Sequence, residues 1–343
     1  MRWDGLRTGS DPATLFGDDV VVRTFDTPRF RGITFYEVRA RSIINRVPGE
    51  SQMPFRWTIN PYRGCSHACV YCFARQTHTY LDLDAGADFD SQIVVKVNAE
   101  ERLRRELAAP TWAGEHIAMG TNVDCYQRAE GRYRLMRGII PALRDAANPF
   151  SILTKGALIL RDLDLLREAA AVTDVTANVS VGSVDRALWR SVEPGTPSPG
   201  TRLRVVRELT DAGVGCGVLM APILPFLSDS PAQLDATVRA IAESGARSVT
   251  PLMLHLRPGS REWYFAWLRR EHPDLVERYR ELYGKGAYAP RGYAHDVTGQ
   301  VRDLATRYGL PGAGAGTARQ VRRTAPPDQE DQPRELGEQL RLV

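Results

Sequence analysis

Cysteine is scarce in this chain of 343 residues: there are five, an odd number, which excludes the evenly paired disulfide framework of small exported proteins. An export signal is missing as well. The opening Met1-Arg2-Trp3-Asp4 carries an acid early, and no apolar core region follows it, so a cytoplasmic location is expected. Long apolar runs are also lacking. The longest candidates, such as 213–227, contain Gly and Pro and fall short of the roughly 20 apolar residues a spanning helix needs, so no membrane partner is expected. Excess charge of one sign is small: Lys+Arg 45 against Asp+Glu 41 gives +4, which does not mark a nucleic-acid binder by itself. Two arginine clusters stand out locally, Arg102, Arg104 and Arg105, then Arg128, Arg132, Arg134 and Arg137. With Glu101, Glu106 and Glu130 interleaved they read as solvated helix faces, and a nucleic-acid substrate stays an open alternative.

What is present is an ordinary globular composition, 43% hydrophobic and 25% charged, long enough for one large domain with additions. Strand-like and helix-like patterns alternate along its middle, which argues an α/β domain with a parallel sheet. Strands are predicted at 57–61, 116–120, 151–154, 176–181, 216–221 and 248–254, and helices at 98–107, 133–146, 162–171, 202–212 and 233–244. Six strand-helix units of this kind make a partial (β/α)6 TIM-like barrel, whose site gathers at the C-terminal strand ends. Before it, residues 1–42 form an N-terminal extension with one strand-like run at 19–23; the barrel core takes 43–260. A C-terminal helical segment at 261–311 follows, with an amphipathic helix predicted at 263–283, and then a tail at 312–343 of disorder-prone composition.

Three of the five cysteines fall in one loop, Asn60-Pro61-Tyr62-Arg63-Gly64-Cys65-Ser66-His67-Ala68-Cys69-Val70-Tyr71-Cys72-Phe73-Ala74-Arg75. Thiolates spaced as Cys65-x3-Cys69-x2-Cys72 suit a four-iron four-sulfur cluster, which takes one protein thiolate per iron and here would keep one iron open. Structural zinc is the alternative. It needs a closed tetrahedral set, with His67 or His78 as the fourth ligand, and would fit a non-catalytic zinc-binding or nucleic-acid adaptor.

The cysteine spacing, with Tyr71 before the third cysteine, resembles the cluster loop of the radical S-adenosylmethionine (radical SAM) superfamily. The wider run from Asn60 to Arg75 is similar to the spore photoproduct lyase-like branch, most closely its actinobacterial non-sporulation members, over about 43–282. The resemblance implies a partial barrel of six β/α units and an enzyme that reductively cleaves S-adenosylmethionine at a 4Fe-4S cluster held by Cys65, Cys69 and Cys72. It also implies an electron donor such as flavodoxin or ferredoxin. A DNA-repair lyase acting on thymine photoproducts is the specific alternative.

The resemblance further implies cofactor contacts. Thr121, Asn122 and Asp124 follow the second strand, where the superfamily receives the methionyl amino group; an ammonium in a partly dry site needs acceptors, and Asp124 otherwise reads as a helix cap. Lys155 matches a lysine that pairs with the methionyl carboxylate, and Ser180, Gly182 and Ser183 match a segment that touches the ribose. At Gly182 the lyase pattern has asparagine. Glu193 and Arg202 would brace the cofactor loop as a charge-assisted pair, and Ala221 and Pro222 end an apolar strand suited to adenine. The lyases carry a hydrogen-donor cysteine where this chain has Thr121. Its own Cys125 is the candidate catalytic donor, with packing as the competing reading, and Cys216 reads as a core residue.

Overall fold

The structure is a computed structural model that describes residues 20–48 and 53–310; the first nineteen residues of the extension and the tail at 312–343 lie outside the described residues. Among the described residues eleven strands form two sheets. They are β1 (Val21–Thr24), β2 (Thr34–Val38), β3 (Ile44–Arg46), β4 (Trp57–Ile59), β5 (Tyr62–Arg63) and β6 (Gln92–Lys96), then β7 (Ile117–Met119), β8 (Phe150–Thr154), β9 (Val175–Ser180), β10 (Gly215–Ile223) and β11 (Val249–Met253). The large sheet runs β11-β10-β9-β8-β7-β4-β3. Its six strands from β4 to β11 are parallel, and β3 closes one edge antiparallel to β4. This is the expected α/β partial barrel of six β/α units. Among the described residues no helix is long and apolar enough to cross a membrane.

The alternation within strands fixes what faces where. In β9, Val175, Ala177 and Val179 pack outward into the core against the helices, while Thr176 and Asn178 line the cavity enclosed by the barrel. Helices begin where the sequence supplies caps. Ser198 accepts from Thr201 N at 3.2 Å before Pro199–Asp211, and Ser230 with Gln233 forms a capping box before Pro231–Glu243. Gly213 and Gly245, both at positive φ, stop those two helices.

Three expectations are corrected. The helix at 133–146 is two, Glu130–Tyr133 and Met136–Asp145, because Arg134 adopts a left-handed conformation at φ 53°. The helix at 263–283 is interrupted by Pro273, which cannot continue a helical hydrogen-bond ladder, giving Ser260–Glu271 and Val276–Tyr283. The stretch before the barrel holds more than one strand. There, β1 and β2 join β6 and β5 in a small sheet ordered β1-β2-β6-β5, packed beside the cysteine loop. A further helix, Arg291–Arg307, buries Val297, Val301, Leu304 and Ala305 in the main core.

Candidate metal and cofactor site

The cysteine loop follows β4 and β5, and its shape is set by groups other than thiols. Arg75 is 0% exposed. Its Nε and Nη2 donate to the Cys69 carbonyl at 3.2 and 3.0 Å, Nη1 donates to Gly86 O at 2.7 Å, and Nη2 reaches both Asp90 oxygens at 2.9 Å. The guanidinium also lies 5.2 Å from the Phe89 ring centroid and 4.8 Å from that of Trp263, so a buried charge is satisfied on every side. Gln127 fastens the start of the loop, accepting from Ser66 N at 2.9 Å and donating to Gly64 O at 2.9 Å. Gly64 has φ 76°, and a Cβ there would stand 2.8 Å from the His78 ring, so both conformation and space demand glycine. At Gly195, whose N–H donates to His67 O, a Cβ would fall 2.2 Å from Ser66 O.

The donor set suits a cluster. Cys65 and Cys69 are buried and Cys72 is partly so. Burial pushes all three thiols up, but Lys155 and Arg202 pull Cys69 back toward its thiolate and Arg75 does the same for Cys72. Among the described residues no group of three or more His, Cys, Asp or Glu side chains converges as a single metal ion requires. The two histidines are otherwise engaged. His67 Nδ1 lies 3.3 Å from Asp124 Oδ2, and His78 Nε2 bonds Gln92 O at 2.8 Å.

Asp124 joins this loop to two strand ends. Its Oδ1 accepts from Thr154 Oγ1 at 2.6 Å and from Tyr126 N at 2.8 Å, and Oδ2 accepts from Lys155 N at 2.6 Å besides facing His67. Burial alone would raise its pKa; the His67 charge and these hydrogen bonds outweigh that and hold it down to about 2. Four contacts fill the acceptor capacity of a carboxylate, so in this arrangement Asp124 positions the loop, and receiving an ammonium would require releasing one of them.

A second network gathers residues from five parts of the sequence. Lys155 Nζ donates to Ser180 Oγ at 2.6 Å, which donates to Ala221 O at 2.9 Å. Glu193 accepts from Tyr71 of the cysteine loop through Oε1 and from Arg202 through Oε2, and Arg202 Nη1 donates to Ser180 O at 2.7 Å. Lys155 Nζ stands 3.8 Å from Glu193. Burial would raise the Glu193 carboxyl, and the Arg202 and Lys155 charges bring it below its ordinary value. Gly182 abuts the end of β10 at Ala221-Pro222: a Cβ there would lie 2.6 Å from Pro222 O, which leaves no room for a side chain where the lyase pattern has asparagine. Ser183 caps the following segment, accepting from Asp185 N at 3.1 Å.

The barrel encloses a cavity of about 2630 Å³ beside these networks. Thr121 and Asn122 line it, whereas the three thiols, Lys155 and Glu193 do not. Cys125 does not either. It is 0% exposed and belongs to the main core with Ile43, Met119 and Tyr126, the surroundings that the packing reading of this residue expects. Cys216 is likewise in the core. Sequence reasoning missed Arg75, Gln127 and Tyr71 as the residues that shape the loop.

Residues 59–240 match the family model of the radical SAM superfamily. An uncharacterized protein of Mycobacterium tuberculosis is 50% identical over 310 residues, 90% of this chain and 89% of that one. One from Methanocaldococcus jannaschii is 28% identical over 199 residues, 57% of this chain and 70% of its own. A solved structure of a spore photoproduct lyase mutant with bound AdoMet and dinucleoside spore photoproduct superposes with TM-score 0.61 at 17% identity, covering 85% of each chain, a likeness of fold. With a family match across more than half its length and a relative of 50% identity along nearly all of it, the chain belongs to the radical SAM superfamily.

Proposed function

We propose that the chain holds a 4Fe-4S cluster on Cys65, Cys69 and Cys72 and uses it to cleave S-adenosylmethionine reductively. The observation that carries this reading is three thiols on one loop locked by Arg75 and Gln127, with Lys155 and Arg202 opposing the rise that burial gives Cys69, and Arg75 opposing it for Cys72. When bound, the cluster and S-adenosylmethionine together supply a one-electron cleavage of the sulfonium bond and a 5'-deoxyadenosyl radical. The chain's own residues hold and orient. Lys155 offers its ammonium to the methionyl carboxylate, and Ser180 and Ser183 stand at the end of β9 toward the ribose. Ala221 and Pro222 present an apolar strand end to adenine, and the Glu193–Arg202 pair fixes Tyr71 and with it the loop. Thr121 and Asn122 face the cavity, where the substrate would lie next to the cofactor.

A one-electron donor such as flavodoxin or ferredoxin and a cytoplasmic setting complete the reading. The likeness to spore photoproduct lyase is of fold alone, and Thr121 stands where those lyases carry their donor cysteine, so repair of DNA photoproducts is a candidate to be tested on the purified enzyme and not the reading favoured by the site. Anaerobic reconstitution should give about four iron and four sulfide per chain, and reduction in the presence of S-adenosylmethionine should release 5'-deoxyadenosine. A chain that binds one zinc and makes no 5'-deoxyadenosine would be the adaptor instead.

A further inference from the structure

One corner of the cavity contains buried polar groups with nothing to bond. Lys96, at the end of β6, is 4% exposed and lines the cavity, and among the described residues its ammonium makes no hydrogen bond or ion pair. The carboxylate whose charge it feels, Glu106, already accepts from Ile43 N and Ile44 N at 2.8–3.2 Å and stands 4.0 Å from Arg102. Arg63 pairs opposite Val94 in the small sheet, so Arg63 and Lys96 project from the same face, and Arg63 lines the same cavity. Across from them are the ends of the neighbouring strands β4 and β7, where Asn60 Oδ1 and Thr121 Oγ1 are both buried without a partner. An unpaired buried ammonium is costly to folding, and so is each orphaned polar atom. All of them line the same cavity, where a ligand would complete the bonds that the protein leaves open.

We propose that this corner receives an oxyanion of the substrate, a carboxylate or a phosphate, on Lys96 and Arg63, with the Thr121 hydroxyl and the Asn60 amide completing its hydrogen bonds. Two cations and two neutral polar groups match the several acceptor sites of such an anion, and the amide of Asn60 can present either its oxygen or its nitrogen. Taking the anion to be part of a substrate rests on the enzymatic reading above; anion binding itself does not.

The test is a thermal unfolding titration of the cluster-loaded chain, under anaerobic conditions, with inorganic phosphate in one arm and acetate in the other. The chain has only three lysines, Lys96, Lys155 and Lys285, so Lys285→Met serves as a control of equal charge change at an exposed position. A saturable rise in melting temperature is expected in the wild type and Lys285→Met, with binding weakened about ten- to a hundredfold in Lys96→Met and in Arg63→Met. The arm that responds identifies phosphate or carboxylate. Without ligand, Lys96→Met should melt at the same temperature as the wild type or higher, because it removes an unpaired buried charge. A lower melting temperature for Lys96→Met would mean the ammonium is part of the scaffold, and equal stabilisation of all variants by both salts would mean no site; either overturns the proposal. Failure of the enzymatic reading would show separately, as absence of 5'-deoxyadenosine in a chain that still binds the anion.

Discussion

Two polar regions border the barrel cavity, and they are built in opposite ways. Over β8, β9 and β10, Lys155, Ser180, Glu193 and Arg202 bond one another and Tyr71, and only Arg202 Nε is left without a partner. Over β4, β7 and the small sheet, Lys96 and Asn60 are buried and Thr121 is half-buried, and Asn60 Oδ1 and the Thr121 hydroxyl have no partner. A closed network fixes geometry, since every member is held by another; an open one stores unsatisfied bonding capacity at a place where a ligand can use it. The first region reads as scaffold for the cysteine loop and its cofactor, the second as reception for what is to be transformed.

The largest effect should come from the loop that the closed network supports. Replacing Cys65, Cys69 or Cys72 singly by Ala should abolish cluster retention, while Cys125→Ala and Cys216→Ala keep it, measured by iron and sulfide content after anaerobic reconstitution. Retention by any of the three loop variants would remove the basis of the assignment. Next in size is Arg202→Met, which leaves the buried Glu193 carboxylate short of its main partner and should destabilise the fold by about 3–5 kcal/mol in denaturant unfolding. A change under about 1 kcal/mol would erase the contrast between the closed and open regions, since Lys96→Met is expected to cost nothing.

A smaller effect is expected at Asp124. Its folded pKa of about 2 lies below the ordinary 3.8, so its contribution is full above the higher value and is lost as pH falls through the lower one. The difference amounts to about 2 kcal/mol. Urea unfolding of the cluster-free chain should therefore show wild type and Asp124→Asn well separated at neutral pH and converging toward pH 2. A separation that does not depend on pH would assign the loss to packing rather than to the charge.

The parallel strands and the cysteine loop were legible in the sequence because their signals are local: alternation in β9, cap residues before the helices, three cysteines within eight positions. The small sheet was not, since β2 pairs with β6 across the whole cysteine loop and strands of two to five residues carry little pattern of their own. Arg75 and Lys96 were illegible for a related reason. A basic residue in a sequence looks solvated, and only the fold shows that one is enclosed by carbonyls and rings and that the other is buried against the cavity, with no hydrogen bond to its ammonium among the described residues. The helix Arg291–Arg307 falls within the helical segment expected at 261–311, but its own bounds were not legible because its four buried positions are diluted among polar residues.

Because Arg75 ties the Cys69 carbonyl to the chain at Gly86 and Asp90, the ordering entropy of the cysteine loop is met when the protein folds, not when iron and sulfide arrive. On the proposed reading, maturation would fill a socket that already has its shape, unlike the small metal domains that are unfolded until loaded. A chain stripped of its cluster by oxygen would keep that socket and accept repair in place, without passing through the unfolded state that proteases recognise.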